Sequence, residues 1–256
     1  MTTNNQQLTN NKLKALIFDV DGTLANTEKD GHRVGFNQAF KDKGLDWHWS
    51  PELYGELLSV AGGKERIKYY IDRYNPQLPQ VADLTVFIQE LHQLKNKYYQ
   101  DLLKKGAIPL RPGVKRLILE AKENNIRLAI ATTTTLHNAI ALLDRTLDPS
   151  WFEIIAAGDI VPNKKPAPDI YFYTLEKLNL APENCVVIED TEHGLSAATA
   201  AGIKTIVTVN NYTEQQDFSK AAIVVSHLGE SDNQHQVIKG NSSKGYIDLD
   251  TIQLLL

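Results

Sequence analysis

At 256 residues, with 42% hydrophobic residues, 23% charged residues and a net charge of −4, the chain has the make-up of a globular protein large enough for one core plus a smaller insert. That charge leaves no electrostatic footprint for nucleic acid, and no apolar run approaches the ~20 residues that span a bilayer. Neither nucleic acid nor a membrane is therefore an expected partner, and an anionic substrate would need a local cationic pocket. Cys185 is the single cysteine, so no intrachain disulfide forms and a reducing compartment fits. Set in the apolar run 185–188, it reads as a small core residue rather than a nucleophile.

Residues 1–11 are polar, lack arginine and carry no apolar stretch. They resemble neither a secretory nor a mitochondrial signal and are expected to be a disordered lead-in. The expected location is the cytoplasm, or the plastid stroma if a transit peptide has been removed.

Strands are predicted over 15–18, 127–131, 152–156, 185–188, 205–209 and 222–225, each short and apolar on both faces, as buried parallel strands are. Amphipathic helical patterns lie between them at 114–124, 169–178 and 195–201. This alternation predicts an α/β fold, a doubly wound Rossmann-like parallel sheet. From about Glu28 to Lys105 the rhythm changes to helical patterns alone, at 33–43, 51–58 and 85–103. Some ~75 residues are too many for a structureless loop. They predict an all-helical cap domain inserted after the first strand, over the strand ends where open α/β sheets bind ligands. The division expected is an α/β core at 12–27 and 107–228, a cap at 28–106, and a C-terminal tail at 229–256 of unknown role, to which nothing is assigned beyond packing on the core or a partner. Hinges are expected near Thr27 and 111–113.

Four strand ends carry chemistry. The first strand runs into Asp19-Val20-Asp21-Gly22, where two carboxylates at i and i+2 of an extended segment point the same way. Their repulsion raises one pKa and suits a nucleophile paired with an acid, or a divalent metal with hard oxygen ligands. Alone, the motif also fits an Asp-Gly turn. The strand over 127–131 runs into Thr132, Thr133, Thr134 and Thr135 ahead of a helix, a hydroxyl and backbone cradle for phosphate, or simply a helix cap. Lys165 precedes a proline that fixes its direction, so it can neutralise a transferring phosphoryl group; a solvated basic turn is the plain alternative. The strand over 185–188 ends in Glu189 and Asp190, a second acid pair that can complete an oxygen shell of the kind magnesium prefers. Each bland reading holds separately, but the ordered coincidence of all four points to phosphoryl transfer.

The order Asp19-x-Asp21-Gly22-Thr23, Thr132, Lys165-Pro166-x-Pro168-Asp169 and Glu189-Asp190-x-x-x-Gly194 resembles the haloacid dehalogenase superfamily over roughly residues 13–228. The helical insert is similar to that of its phosphoglycolate phosphatase and β-phosphoglucomutase branch. Further segments, Gly44 to Trp47, Trp49, Gly62 to Arg66 and Ala156 to Asp159, resemble the CbbY proteins, which act as xylulose-1,5-bisphosphate phosphatases and clear a by-product that inhibits Rubisco of the Calvin cycle. The run Asn26 to Arg33 is similar to plant-type members.

The resemblance implies a phosphatase with Asp19 as nucleophile and Asp21 as acid and then base. It implies Mg2+ held by Asp19, the Asp21 carbonyl and Asp190, with Glu189 a ligand through water or an outer group. Thr132, Thr133, Thr134 and Lys165 would bind the transferring phosphoryl group. Glu28, His32, Tyr54, Gly62, Gly63, Lys64, Arg66, His92 and Lys95 would grip the far end of a small sugar phosphate from the cap. Arg66 would clamp a second phosphate with its guanidinium fork, or else be an exposed helix charge beside Glu65. His32 and His92 are otherwise surface or core histidines, and Tyr54 part of the cap's own core. Thr191 stands where many relatives have serine, Asn26 replaces a frequent acid, and one extra residue lies near Gly31. A sugar-phosphate mutase, or a phosphatase for phosphoglycolate or another monophosphate, would share the four motifs. A retired binding protein would have no chemical need for both acids of the first pair. A monomer is expected, with oligomers left open.

Overall fold

The computed structural model describes residues 12–60 and 62–256, so the expectation for 1–11 lies outside the described residues. The described residues divide into two compact units: 12–23, 111–136 and 150–256 form one, and 24–110 with 137–149 form the other.

The first unit is built on strands β1 (Ala15–Phe18), β2 (Arg127–Thr132), β3 (Ile154–Ala157), β4 (Cys185–Glu189), β5 (Lys204–Thr208), β6 (Ile223–Val225) and β7 (Val237–Lys239). They make one sheet in the order β3-β2-β1-β4-β5-β6-β7. All pairs are parallel except β6 with β7. The chain lays β2 and β3 on one side of β1 and then crosses to lay β4 and β5 on the other. This reversal is where open α/β sheets place their ligands. Phe18 pairs with both Ile130 and Ile188, so the residues that follow these three strands emerge together.

Ala129, Ala131 and Ala156 keep one sheet face low. Ile170, Tyr171, Leu175 and Leu178 of α7 (Asp169–Leu178) pack on it with Ala197 and Ala198 of α8 (Glu192–Ala200). Each fully buried side chain of this size contributes about 1.5–3 kcal/mol. Cys185 is buried among them, its thiol pushed up to about 12 chiefly by burial, as a core cysteine should be.

The second unit is helical: a π-turn at Glu28–His32, then α1 (Arg33–Asp42), α2 (Pro51–Leu57), α3 (Gly63–Tyr74) and α4 (Leu84–Lys104). Among the described residues it holds no strand, only the bridge between Ala25 and Leu110. Its core is aromatic. Trp49 is fully buried, 4.6 Å from the Phe36 ring and 4.9 Å from Phe40. The Asn37 amide holds its backbone, accepting from Trp49 N–H at 2.8 Å and donating to its carbonyl at 2.9 Å. Gly31 lies inside the π-turn and is buried. A β-carbon on residue 31 would stand 2.6 Å from the Ile108 side chain and 2.7 Å from the Tyr99 ring, so glycine lets these side chains close over the turn.

Several boundaries differ from expectation. The units part at 23/24 and 110/111, and residues 137–149, most of α6 (Leu136–Thr146), group with the helical unit. There the Gln100 amide donates to Asn138 at 2.7 Å. The α3 helix follows no strongly apolar pattern; its buried residues are Arg66, Ile67, Tyr70 and Ile71. The tail belongs to the α/β unit. It adds β7, Glu230 accepts the Gly113 N–H, and Arg116 of α5 (Val114–Glu123) donates to the Ile247 carbonyl just before α9 (Leu249–Gln253). No described helix is long and apolar enough to cross a membrane.

Candidate active site

The site of the α/β unit assembles where β1, β2 and β4 end. Asp19 follows β1, its N–H donating to the Ile188 carbonyl at 3.0 Å, and its side chain is nearly buried. Lys165 reaches it from the turn before α7. Its ammonium donates to Asp19 Oδ1 at 2.8 Å, to the Ala131 carbonyl at 2.8 Å and to Glu189 Oε1 at 2.6 Å. All three ammonium protons are thus directed. Burial alone would depress the Lys165 pKa, but Asp19 and Glu189 outweigh it and hold the ammonium well above its usual range.

Glu189 is buried and saturated. Oε1 accepts from Lys165 and from the Tyr171 hydroxyl at 3.1 Å; Oε2 accepts the N–H groups of Asp190 and Thr191 and the Thr191 hydroxyl. Burial pushes its pKa up, yet Lys165 and these donors bring it below the ordinary value. Asp190 takes the Thr23 hydroxyl on Oδ1 at 3.1 Å and the Asn210 amide on Oδ2 at 2.7 Å. Burial and then repulsion from Glu189 and Asp19 raise its pKa well above the usual range. Asp19 is raised to about 7, first by burial, against the pull of Lys165, with Glu189 and Asp21 adding repulsion.

Asp19, Glu189 and Asp190 each place a carboxylate oxygen within 4.8 Å of the others. Buried hard oxygen donors under mutual repulsion fit a magnesium ion, whose charge would relieve that repulsion. Gly22 permits the crowding. It has φ +85°, and a β-carbon there would overlap the Asp190 carboxylate. Thr132 ends β2 buried, its hydroxyl accepting the Thr134 N–H at 3.3 Å; Thr133 is exposed and Thr134 half-buried in the same turn.

The helical unit gathers a separate cluster. The Tyr54 hydroxyl donates to Glu28 at 2.5 Å and accepts from Arg66 at 2.8 Å, while Arg66 also donates to the carbonyls of Leu57 and Val60. Arg66 is therefore buried and forked, not a solvated charge beside Glu65. Lys95, also buried, lies 2.9 Å from Nδ1 of His32, whose ring centre lies 3.9 Å from that of Tyr99 at a 34° tilt. Burial and then Lys95 and Arg66 push His32 well down. His92 is pushed down to about 4 by burial, Lys95 and Lys64. It packs against Gly63, where a β-carbon would stand 2.6 Å from its ring. Gly62 caps α3 at φ +93°, with exposed Lys64 two residues on. Lys64, Arg66, His92 and Lys95 thus share one electrostatic neighbourhood beside the N-terminus of a helix, where anions are favoured.

Tyr171, Thr23, Asn210 and Arg111 escape sequence reading as site residues. Tyr171 stands two residues past the Lys165-to-Asp169 motif, but its apolar helix face reads as core. Thr23 lies inside the first motif. Asn210 and Arg111 carry no local signal, for their partners are 20 and about 100 residues away.

Comparison with known proteins follows the same lines. A family model for haloacid dehalogenase-like hydrolases matches residues 13–202. The plasmid-encoded protein CbbY of Cupriavidus necator is 46% identical over 221 residues, covering 85% of this chain and 87% of that protein. The CBBY-like protein of Arabidopsis thaliana is 42% identical, covering 84% and 69%. A crystal structure of a mutant CbbY from Rhodobacter sphaeroides in complex with xylulose-1,5-bisphosphate superposes with a TM-score of 0.73 at 42% identity, covering 86% of this chain and 96% of that one. With the buried acids and lysine at the strand ends, these similarities establish that the chain belongs to the haloacid dehalogenase-like hydrolases, as a phosphatase of the CbbY group.

Proposed function

We propose that this phosphatase hydrolyses a sugar bisphosphate, foremost xylulose-1,5-bisphosphate to xylulose 5-phosphate, through an aspartyl-phosphate on Asp19 and with Mg2+. The observation that carries the reading is the buried convergence of Asp19, Lys165 and Asp190 on one sheet edge. The bound bisphosphate in the similar Rhodobacter protein supports the substrate, and so does the cationic cluster of the helical unit. Removal of a by-product that inhibits Rubisco is the physiological setting this implies.

Asp19 attacks phosphorus, a carboxylate oxygen-to-phosphorus bond forms and the phosphorus-to-sugar oxygen bond breaks. Asp21 gives its proton to the leaving sugar oxygen. It then takes a proton from the water that attacks the aspartyl-phosphate, releasing inorganic phosphate and restoring both acids. Lys165, Thr132 and the backbone of 133–134 hold the phosphoryl oxygens, and Glu189 holds Lys165. Asp19, the Asp21 carbonyl and Asp190 would bind Mg2+, with saturated Glu189 behind them. The ion would supply charge stabilisation to the transferring phosphoryl group. Glu28, His32, Tyr54, Gly62, Gly63, Lys64, Arg66, His92 and Lys95 are assigned to the second phosphate and its sugar end.

Phosphate release from a panel of sugar phosphates tests the substrate. A kcat/KM for the bisphosphate at least about tenfold above every monophosphate is expected; a monophosphate preferred by that margin would remove the assignment.

A further inference from the structure

Arg111 is a buried cation of the α/β unit that the chemistry above leaves unused. It is 7% exposed, and burying a guanidinium is costly unless its charge and donors are met. Its donors go to main-chain carbonyls: Gly22, Thr208 at 3.0 Å, Val209 at 2.5 Å and Ser226 at 2.7 Å, with the Thr208 hydroxyl at 3.1 Å. The Asp190 carboxylate is the acid whose charge acts on it.

These partners are not a random set. Gly22 is the residue whose missing β-carbon lets Asp190 approach the acid pair. Thr208 and Val209 lie at the end of β5, and the Thr208 hydroxyl also reaches the Glu189 carbonyl at 3.4 Å. One planar fork thus ties the turn after Asp21 to the strand beside Glu189. When ionised, Asp19, Asp21, Glu189 and Asp190 are balanced by Lys165, Arg111 and a single divalent ion.

We propose that Arg111 is a positioning residue for the metal: it pins the Gly22 carbonyl so that Asp19, the Asp21 carbonyl and Asp190 are presented at one fixed spacing. This rests on the reading that those groups bind a divalent cation. A lysine in its place would keep the charge but could not reach four carbonyls on two strands and a turn. Groups behind metal ligands commonly govern affinity by roughly 10–100-fold.

The test is Mn2+ binding to the full-length chain, read by electron paramagnetic resonance, with thermal melting beside it. Arg111→Lys is expected to fold, melt within a few degrees of wild type and bind Mn2+ about tenfold more weakly. A brace for the fold alone would lower the melting temperature and leave Mn2+ affinity in place; folded Arg111→Lys within twofold of wild type therefore overturns the proposal. If Arg111→Lys does not fold, Thr208→Val decides, because it deletes one acceptor of the fork: about threefold weaker Mn2+ binding supports the proposal, and unchanged binding overturns it. A wild type that binds no Mn2+ overturns it together with the metal reading. A wild type that binds Mn2+ with the expected variant effects but releases no phosphate sinks the phosphatase chemistry and leaves Arg111 in its role.

Discussion

Glu189 occupies the space that a β-carbon on residue 194 would need: one built on Gly194 would fall inside its carboxylate. The first turn of α8 therefore closes over Glu189 because residue 194 has no side chain, and Glu189 in turn holds Lys165 at 2.6 Å. Gly194→Ala is expected to displace Glu189, loosen Lys165 and lower kcat by at least about tenfold. Phosphate release and a thermal melt check it. A variant with wild-type kcat would mean that Lys165 does not depend on Glu189 for its place.

Asp19 gives a pH dependence with a definite sign. Its acid is raised from 3.8 to about 7, chiefly by burial. An acid whose native pKa exceeds its unfolded value stabilises the fold while protonated. That contribution is complete below the unfolded value and is lost as pH rises toward 7. In EDTA at pH 8, Asp19→Asn, which imitates the protonated acid, should melt a few degrees above wild type, and the gap should narrow toward pH 5. A magnesium ion bound there would have to displace that proton, so half-saturating Mg2+ should fall as pH rises through about 7. A melting gap that widens toward pH 5 would contradict this.

His92 reports on the helical unit. Burial, Lys95 and Lys64 hold it down to about 4, so it is neutral in the free protein at pH 7. A phosphate among Lys64, Arg66 and Lys95 would reverse that field and raise His92 by roughly one unit or more. Proton NMR titration with and without xylulose 5-phosphate is the check. A resonance that does not move would take the second phosphate away from this cluster.

Sequence alone reaches the four strand ends because each couples a short apolar run to a distinctive polar residue, and both signals are local. The helix at 169–178 is met to the residue, its start marked by the preceding prolines. The strand expected at 152–156 lies instead at Ile154–Ala157, since Trp151 ends a 3-10 turn begun at Pro149 and Phe152 leads out of it. Strand β7 has three exposed residues and owes its existence to β6, so nothing within it announces a strand. The carbonyls that hold Arg66 and Arg111 are equally silent, because only the folded chain determines their direction. The polar groups gathered at the strand ends are legible; the groups that hold them in place are largely not.

The most direct test measures inorganic phosphate released from xylulose-1,5-bisphosphate by wild type and by Asp19→Asn, with Mg2+ present. Brisk release by wild type and a loss of at least about a thousandfold in the variant is expected for a nucleophile whose removal leaves binding intact. Release that survives Asp19→Asn would contradict the aspartyl-phosphate and with it the mechanism.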